Sequence, residues 1–438
     1  SHKPPAAPYL NRRLFLAAGA SFAAGLARAQ DGDQSDVEDR PLTPDEELEI
    51  FLADAEPGEI RPGAVGFLQL PGINENFLKP RQLFEQVVGR IITELDTGDF
   101  KYDWADDEVS PDYKHLETPV YYGFFPVDHE TLTLAAERNS FPVTDDVVLF
   151  GLRGCRLLPS SPTRAYVRER YPNHQDYRCV LGVWNRRKRE VVAIQSSTVT
   201  NGRYIYAQQR LKGAGTVANL MPTGLHAYRV GPHRASSKAP QPGAFRQAKP
   251  FSVLRSHARS DRNQAYTIYE FWDLRPNLIV ADNIHAGSYD LRPRDNLYYF
   301  SSAGCQTVPG GYTRGSRIPQ RRWKLFREMA GLSTPTSYSP GWKGPDDGKP
   351  FQYMLLTARE LRLAHRDRGD RPELRRLRYG SKSEAVREVQ SAMGLSGPDG
   401  SFGPNTQRAY LQWQLDTFGW ADGIVTPKIA RDNFNVRI

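Results

Sequence analysis

Runs of apolar and β-branched residues mark the middle of the chain as strand-forming. One run covers 177–184, a charged turn follows at 186–189, and a second run covers 190–194. Short apolar runs bounded by turn residues are typical of strands, so this stretch predicts a β-hairpin. Two further runs, 278–281 and 297–300, predict buried strands, and the polar, proline-containing segment between them predicts a loop.

Helical periodicity occupies other parts of the chain. Thr43 and Pro44 are typical of a helix start and predict a short helix over 45–54. Apolar residues on one side of 81–95 predict a second, amphipathic helix. Near the carboxyl end, apolar residues that recur at helical spacing predict a helical core, namely Val386, Val389, Leu411 and Leu415.

Three segments lack this periodicity and predict loops or solvated surfaces. The segment 231–250 is rich in Pro, Ser, Lys and Ala, which predicts either a flap over a site or an insertion without a role. The segment 333–371 begins with a Pro- and Gly-rich stretch and is interpreted as a connector. The arginine-rich run 359–378 predicts a solvated helix and linker.

The amino end has the features of an export signal. Residues 11–16 resemble a twin-arginine motif, an uncharged apolar stretch covers 14–26, and a small-x-small cleavage site ends at Ala29. The apolar stretch is shorter than the roughly 20 residues that span a bilayer, and an uncleaved membrane anchor is the alternative. Residues 1–29 are therefore interpreted as a signal that directs the protein to the periplasm, with no membrane span after cleavage.

Length and charge set further bounds. The chain has 438 residues, which is too long for one hydrophobic core and predicts several domains. Residues 30–41 are acidic and polar and predict a linker, and 42–143 is interpreted as an accessory region of unknown type. The formal net charge of +8 favours polyanionic partners. Because an exported protein does not routinely meet nucleic acid, and no nucleic-acid motif occurs, an anionic cell wall is the preferred partner.

Cys305 and His285 carry the candidate chemistry. Cys305 follows Ser302, Ala303 and Gly304, and each of the two reactive residues comes after a predicted strand. A thiol becomes nucleophilic when a neighbouring base takes its proton, and small residues around it allow close approach of backbone and substrate. The alternative is that Cys305 is a buried structural thiol, since unpaired cysteines are among the most buried residues.

This arrangement resembles the YkuD family of L,D-transpeptidases. In that family a His precedes a Ser/Thr-x-Gly-Cys run, and here sixteen residues separate His285 from Ser302, within the family's range. The hairpin over 177–194 and the Pro-Thr-Gly turn at 222–224 extend the resemblance. The resemblance covers about residues 144–332 and implies a β-rich catalytic domain there.

The resemblance also implies a role for each residue of the site. Cys305 is implied to be the nucleophile and His285 its general base. Ser302 is implied to support the turn, and Gly304 to let backbone amides stabilise the oxyanion. The candidate substrate-binding residues are Gly287, Ala303, Gln306 and Thr307, and Tyr228 and His233 are further candidates to line the cleft.

Three departures from the family pattern concern substrate choice and reaction outcome. Thr307 stands where the family usually has an Arg, and Ala303 stands where many members have a His. The usual adjacent His-Gly pair is separated here by one residue. The candidates to substitute for the Arg are Arg292, Arg294 and Arg314.

The carboxyl end resembles a second family, the type 1 peptidoglycan-binding domain. Two Asp-Gly turns, at 399–400 and 422–423, form an internal repeat in which each turn is followed by a proline and a predicted helix. Thr406 and Thr426 lie near the predicted helix starts, where a hydroxyl caps unpaired backbone amides. The resemblance implies a three-helix peptidoglycan-binding module over 372–438.

Together the two resemblances predict an α+β multidomain protein that acts on peptidoglycan. The implied activity is L,D-transpeptidation of stem peptides through a Cys305 acyl-enzyme. The alternatives are an L,D-carboxypeptidase or cross-link hydrolase that uses the same site, and a non-catalytic peptidoglycan-binding scaffold. No metal or other cofactor is expected, because His-Glu-x-x-His and Cys-x-x-Cys spacings do not occur, although His226, His233 and His257 raise the alternative of a zinc peptidase.

Cys155 and Cys179 remain once Cys305 is assigned as the nucleophile. An oxidising periplasm permits a disulfide between them, and the alternative is two separate buried thiols. A bridge requires Cα atoms within about 7 Å of each other, which the sequence does not fix.

Overall fold

The computed structural model describes most of the chain beyond position 114. The described residues are 115–116, 124–161, 164–170, 172, 177–201, 219–237, 240–256, 272–278, 281–288 and 300–438. The predicted features that lie outside the described residues are the export signal at 1–29, the linker at 30–41, the helices at 45–54 and 81–95, His257, Arg292 and Arg294. Residues 279–280 and 297–299 of the two strands predicted before His285 and Cys305, and 289–296 of the loop predicted between them, also lie outside the described residues. Of the accessory region 42–143, the structure describes 115–116 and 124–143.

The described part is an α+β protein in which strands predominate, and this confirms the predicted class. The strands are β1 (Phe124–Val127), β2 (Val147–Arg153), β3 (Cys155–Ser161), β4 (Arg164–Glu169), β5 (Cys179–Asn185), β6 (Glu190–Ser196), β7 (Asn219–Leu220), β8 (Gly224–His233), β9 (Gln241–Gln247), β10 (Phe251–Ser256), β11 (Trp272–Leu278), β12 (Ile284–Ala286), β13 (Gln306–Val308), β14 (Gly311–Tyr312), β15 (Pro319–Gln320) and β16 (Pro350–Thr357). The helices are α1 (His129–Arg138), α2 (Arg321–Met329), α3 (Ala358–Arg366), α4 (Glu384–Ala392), α5 (Pro404–Phe418) and α6 (Pro427–Phe434). None of the described helices has the length and apolar character needed to cross a membrane.

Eight strands form the main sheet, in the order β13-β12-β9-β8-β16-β2-β5-β6. β5 and β6 are antiparallel neighbours with Cys179 opposite Ser196, which confirms the predicted hairpin. Just beyond β6, Ser197 bridges Thr307 of β13 through two backbone hydrogen bonds of 2.9 and 2.8 Å. Because β6 and β13 are the two ends of the strand order, this bridge nearly closes the sheet on itself.

Both faces of the main sheet are buried. Successive side chains of a strand point to opposite faces, so Leu149 of β2 joins one core and Phe150 joins the other. Helix α2 covers the first core with Trp323, and helices α1 and α3 cover the second with Leu132 and Leu361. Burial on both faces explains why β2, β5 and β16 are almost continuously apolar.

The segment expected to be a connector, 333–371, instead supplies a central strand and a helix. β16 lies between β8 and β2, antiparallel to β8 and parallel to β2. The apolar residues of β16 alternate between the two cores, with Phe351, Tyr353 and Leu355 in one and Met354 and Leu356 in the other. Only the first part of the segment, 333–349, therefore has both the composition and the position of a connector.

The arginine-rich run 359–378, predicted to be solvated, is partly buried. Arg359 and Arg362 of α3 donate to the two carboxylate oxygens of Glu169, at 2.7 and 2.6 Å, and Glu169 is fully buried. A buried carboxylate requires such partners because removing its charge from water is costly. The guanidinium groups of α3 therefore hold this helix on the sheet domain, the part of the described chain that contains the main sheet and the strands packed around it.

The segment 231–250, predicted to be a flap or an insertion without a role, forms part of the main sheet. β9 pairs with β8 on one side and with β12 on the other. Its Ala244 and Phe245 are fully buried, so two apolar residues suffice to place this strand in the core. The low apolar content of the segment concealed a strand, and both alternatives were wrong.

Helices α4, α5 and α6 form a unit at the carboxyl end in which one local structure occurs twice. Gln390 of α4 holds the turn at 399–400: its Oε1 accepts from both turn amides at 3.0 and 2.9 Å, and its Nε2 donates to the aspartate at 2.9 Å. Gln414 of α5 holds the turn at 422–423 in the same way, at 3.2, 2.8 and 2.7 Å. The internal sequence repeat is therefore a repeated, glutamine-held turn.

The two threonines expected at helix starts differ in their use. Thr426 caps α6, and its hydroxyl accepts from the Ile429 amide at 3.1 Å. Thr406 lies inside the first turn of α5, which begins at Pro404, and accepts from Gln390 Nε2 at 2.9 Å. The predicted capping role of Thr406 is wrong because the helix begins two residues before it.

Replacing Gln414 with Leu is expected to lower the free energy of unfolding by about 2–3 kcal/mol, because three hydrogen bonds are lost and the turn amides stay buried. Gln412 lies on the same helix but is exposed, so Gln412→Leu is expected to change stability by less than about 0.5 kcal/mol. Urea unfolding of both variants measures the difference. Equal midpoints for the two variants would show that Gln414 does not hold the turn.

The helical unit packs directly on the sheet domain. Leu411 of α5, predicted to lie in a helical core, shares a cluster with Leu220 and Leu254 of the sheet domain. Arg378 is fully buried and donates to the Thr223 hydroxyl at 2.6 Å. The unit is therefore joined to the turn that leads from β7 into β8.

Candidate active site

The pairing of β12 and β13 brings His285 and Cys305 together. The two strands are parallel, with His285 opposite Thr307 in the register. Cys305 immediately precedes β13, so it stands at the same end of the strand pair as the residues before β12. A pair separated by a long stretch of sequence therefore becomes a single site through one parallel strand contact.

The turn before Cys305 is fixed by three hydrogen bonds. The Ser302 hydroxyl donates to the Cys305 carbonyl at 2.7 Å and accepts from the Gly304 amide at 3.1 Å. From the other side, Gln306 Nε2 donates to the Gly304 carbonyl at 3.0 Å. The Gly304 amide thus serves the turn itself, whereas the sequence predicted that glycine would direct backbone amides to an oxyanion.

No side chain fits at position 304. A Cβ there would lie 2.5 Å from Asp282 Oδ1 and 2.6 Å from Asn219 Cβ, and Gly304 has φ of +153°. The Asn219 amide donates to the Ala303 carbonyl at 2.6 Å, and its side chain donates to Asp282 at 3.1 Å. The approach of the 219 and 282 backbone segments therefore fixes the position of the turn that precedes Cys305.

Cys305 is the cysteine that reagents can reach. Its side chain is partly exposed, whereas Cys155 and Cys179 are buried, and none of these three cysteines forms a disulfide. Burial raises the pKa of the Cys155 thiol well above its usual range, and the neighbouring Cys179 raises it further. The Cys305 thiol donates to the Ala281 carbonyl at 3.3 Å. The structure therefore selects two unbridged buried thiols over the disulfide for the other pair.

The tautomer of His285 follows from its backbone contact. His285 is 1% exposed, and its Nδ1 lies 2.6 Å from the Ala286 carbonyl oxygen. A carbonyl oxygen only accepts hydrogen bonds, so Nδ1 carries the proton of the neutral ring. Nε2 is then the basic nitrogen, as a general base requires.

A second histidine, His233 at the end of β8, belongs to the same site. Its ring stacks on that of His285 with the centroids 4.6 Å apart. One ring nitrogen of each histidine and the Cys305 sulfur lie within 4.8 Å of one another. The sequence offered His233 as a residue that lines the cleft. Its contact with His285 was not foreseen, because that contact depends on the pairing of β9 with β12.

These three ligand types raise the question of a metal site. An imidazole binds a metal through a nitrogen lone pair that lies in the plane of the ring. The two rings are nearly parallel, at 9°, so one ion does not lie in both ring planes without a rearrangement. His226, another histidine that raised the zinc alternative, is buried against Tyr379, and burial lowers its pKa to about 3. The cluster therefore fits proton transfer better than metal binding.

The four candidate substrate-binding residues occupy supporting positions to different degrees. Gln306 and Thr307 are fully buried in β13, where Gln306 also accepts from the Tyr353 hydroxyl at 3.3 Å. A Cβ on Gly287 would lie 2.0 Å from the Tyr177 hydroxyl, so this glycine permits close packing. Ala303 is half-buried in the turn itself.

The structure explains why a Thr occupies position 307, where the L,D-transpeptidases that the sequence resembles usually have an Arg. Thr307 forms the bridge that nearly closes the sheet, and both its backbone groups pair with Ser197. Its side chain lies in a fully buried position, which a long guanidinium side chain would overfill. Of the substitutes considered, Arg314 is exposed in the segment between β14 and β15.

Tyr228, a further candidate to line the cleft, lies beside it. Its hydroxyl donates to the Asp282 carbonyl at 2.6 Å. Burial raises the pKa of Tyr228 well above its usual range, and Tyr353, Asp282 and Cys305 raise it further. The Tyr228 hydroxyl therefore stays protonated. It holds the backbone segment that joins Ala281, which the Cys305 thiol contacts, to strand β12.

Comparison with known proteins adds no relative: no family model, no curated protein and no solved structure matches this chain.

Proposed function

We propose that this protein is a cysteine-dependent acyltransferase that acts as an L,D-transpeptidase on the stem peptides of peptidoglycan. The observation that carries the proposal is the cluster of a partly exposed Cys305 with His285, whose tautomer leaves Nε2 as the base. A nucleophile and a base held by a third group are the requirements for covalent acyl transfer. The predicted export signal and the overall positive charge favour a substrate in the cell wall.

The helical unit at the carboxyl end supports the same substrate. Its paired Asp-Gly turns, each held by a glutamine, are the features that resemble the peptidoglycan-binding domain. Because this unit packs on the turn between β7 and β8, glycan bound to it would lie on the same body as the nucleophile. The proposed activity takes place in the periplasm.

In the first step His285 Nε2 takes the proton of the Cys305 thiol, and the thiolate attacks the carbonyl carbon of an L,D-peptide bond. The carbon–sulfur bond forms, the carbon–nitrogen bond breaks, and the departing amine of the D-residue takes the proton from His285. A thioester remains on Cys305. The resting contact of the thiol with Ala281 is compatible with this step, since catalytic hydrogen bonds often tighten only when substrate is bound.

In the second step an acceptor amine attacks the thioester carbonyl. The carbon–nitrogen bond of the new cross-link forms, the carbon–sulfur bond breaks, and the amine proton returns through His285 to the Cys305 sulfur. Water in place of the amine would give L,D-carboxypeptidation by the same residues. The identity of the products therefore distinguishes the two reactions.

The test is intact-mass analysis of the protein after incubation with tetrapeptide-stem muropeptides and, separately, with a carbapenem. We expect a covalent adduct with each, and muropeptide dimers with the first. The adduct is expected to disappear in Cys305→Ala and to persist in Cys155→Ala, which removes a buried thiol instead.

Trimmed stems without dimers would replace transpeptidation with carboxypeptidation. If no adduct forms while the protein still sediments with purified cell walls, the enzyme proposal fails and a wall-binding scaffold remains.

A further inference from the structure

We propose that His233 is a third functional side chain of the site: a neutral imidazole whose Nε2–H donates a hydrogen bond that stabilises negative charge at the Cys305 sulfur. The proposal deepens the proposed function and rests on Cys305 acting as the nucleophile. It assigns a chemical role to a residue that comes from the β8–β9 hairpin rather than from the segment around Cys305.

A backbone contact fixes the orientation of the Asn283 side-chain amide, which lies next to His233. The backbone N–H of Gln247 donates to Asn283 Oδ1 at 2.9 Å. A backbone N–H only donates, so the atom that faces it is the side-chain oxygen of Asn283. The NH₂ group of Asn283 therefore points the other way.

The Asn283 amide in turn fixes the tautomer of His233. Asn283 Nδ2 lies 2.8 Å from His233 Nδ1. Because an NH₂ group only donates, Nδ1 is the acceptor and the ring proton of the neutral form is on Nε2. The backbone of β9 thus determines, through one asparagine, which nitrogen of His233 is the donor.

The surroundings of His233 keep its imidazole ring neutral. Burial lowers the pKa of His233 well below its usual value, and His285, Arg234 and Arg246 lower it further. The two stacked imidazoles do not readily carry a positive charge at the same time, because like charges this close repel each other. His285, as the base, gains and loses the proton, while His233 remains a neutral donor throughout.

A hydrogen-bond donor at the Cys305 sulfur supplies a function that the Gly304 amide and residue 307 do not. The Gly304 amide is engaged by the Ser302 hydroxyl, and the position of the family's Arg is taken by Thr307. A ring nitrogen of His233 lies within 4.8 Å of the Cys305 sulfur, so the ring borders the thiol. Because Nδ1 is engaged by Asn283, we assign the donor role to Nε2–H. A fixed donor at the thiolate lowers the pKa of the thiol and thus increases the reactive fraction.

The experiment compares His233→Phe with His233→Gln. Phe keeps a flat ring that can stack on His285 but removes the donor, whereas Gln retains an N–H group. The rate of alkylation of Cys305 by iodoacetamide is measured against pH, and peptide mapping assigns the label to Cys305. We expect the apparent pKa of the thiol to rise by about one unit in the Phe variant, which lowers the alkylation rate at neutral pH about tenfold, and to recover in part in the Gln variant.

A Phe variant that keeps its melting temperature and shows the wild-type alkylation profile would overturn the proposal. Should the Phe variant not fold, ¹⁵N chemical shifts of the histidines in the wild-type protein decide the matter. They are expected to report a neutral Nε2–H ring for His233, and an Nδ1–H ring or an imidazolium would contradict the proposed role. Neither readout uses peptidoglycan, so both are independent of whether the acyltransferase activity is found.

Discussion

Gly304→Ala is expected to lower the free energy of unfolding by about 2–5 kcal/mol, through overpacking and an unfavourable backbone conformation. The added methyl group would lie 2.5 Å from Asp282 Oδ1 and 2.6 Å from Asn219 Cβ, so one of the two packed segments must move. The movement passes to Cys305, the next residue in the turn. A displacement of about 1 Å costs roughly a hundredfold in rate, so we expect acylation by the carbapenem to slow by about that factor.

Gly315→Ala is the matched control for this variant. Gly315 also has a positive φ, +78°, but a Cβ there meets nothing within 4 Å. Its replacement is expected to cost only the backbone term, about 1 kcal/mol, and to leave the acylation rate unchanged. Urea unfolding and stopped-flow acylation measure the two effects separately. Equal losses for the two variants would mean that steric contact at 304 is not what positions Cys305.

The parts of this fold that were predicted are those that short-range sequence determines. The β5–β6 hairpin has apolar runs on either side of a charged turn, and the structure has the same two strands. The Asp-Gly turns are equally local, since each requires a glycine at one position. The glutamines that hold these turns, Gln390 and Gln414, occur in the same motif, but only the structure shows what they bind.

The parts that were not predicted depend on strand pairing over long distances. β16 lies in the middle of the sheet between β8 and β2. The sequence of its six central residues does not indicate which strands they pair with. β9 has only a short apolar core and follows a Pro- and Ser-rich stretch, so its composition indicated a loop. The role of His233 depends on the placement of β9, because β9 connects the strand that carries His233 to the strand that carries His285.

The arginine-rich run 359–378 was a signal in the sequence that allowed two interpretations. A cluster of arginines is typical either of a solvated surface or of a set of buried ion pairs. Glu169, the partner of Arg359 and Arg362, lies far from them in sequence, so the second interpretation could not be chosen without the fold. Arg378 is the same kind of case at the boundary between the sheet and the helical unit.

Arg378→Met is expected to lower the free energy of unfolding by about 3–5 kcal/mol, because it leaves a buried carboxylate without its main partner. Arg378 is fully buried and pairs with Glu360 of α3, while its Nη1 also donates to the Thr223 hydroxyl. Arg387→Met, the control, removes an exposed ion pair with Glu384 on α4 and is expected to cost about 0.5 kcal/mol or less. Guanidinium unfolding of both variants measures the difference.

The pH dependence of this difference identifies its cause. Burial alone would raise the pKa of the Glu360 carboxyl, but Arg378 and His115 outweigh burial, so the pKa lies well below its usual value. A carboxyl with a lowered pKa contributes stability above its unfolded pKa and loses it as the pH falls through the folded pKa. The wild type should therefore lose more stability than the Arg378→Met variant on acidification below about pH 4, and the gap between them should narrow. A gap that is constant with pH would mean that Arg378 acts through packing rather than through its charge.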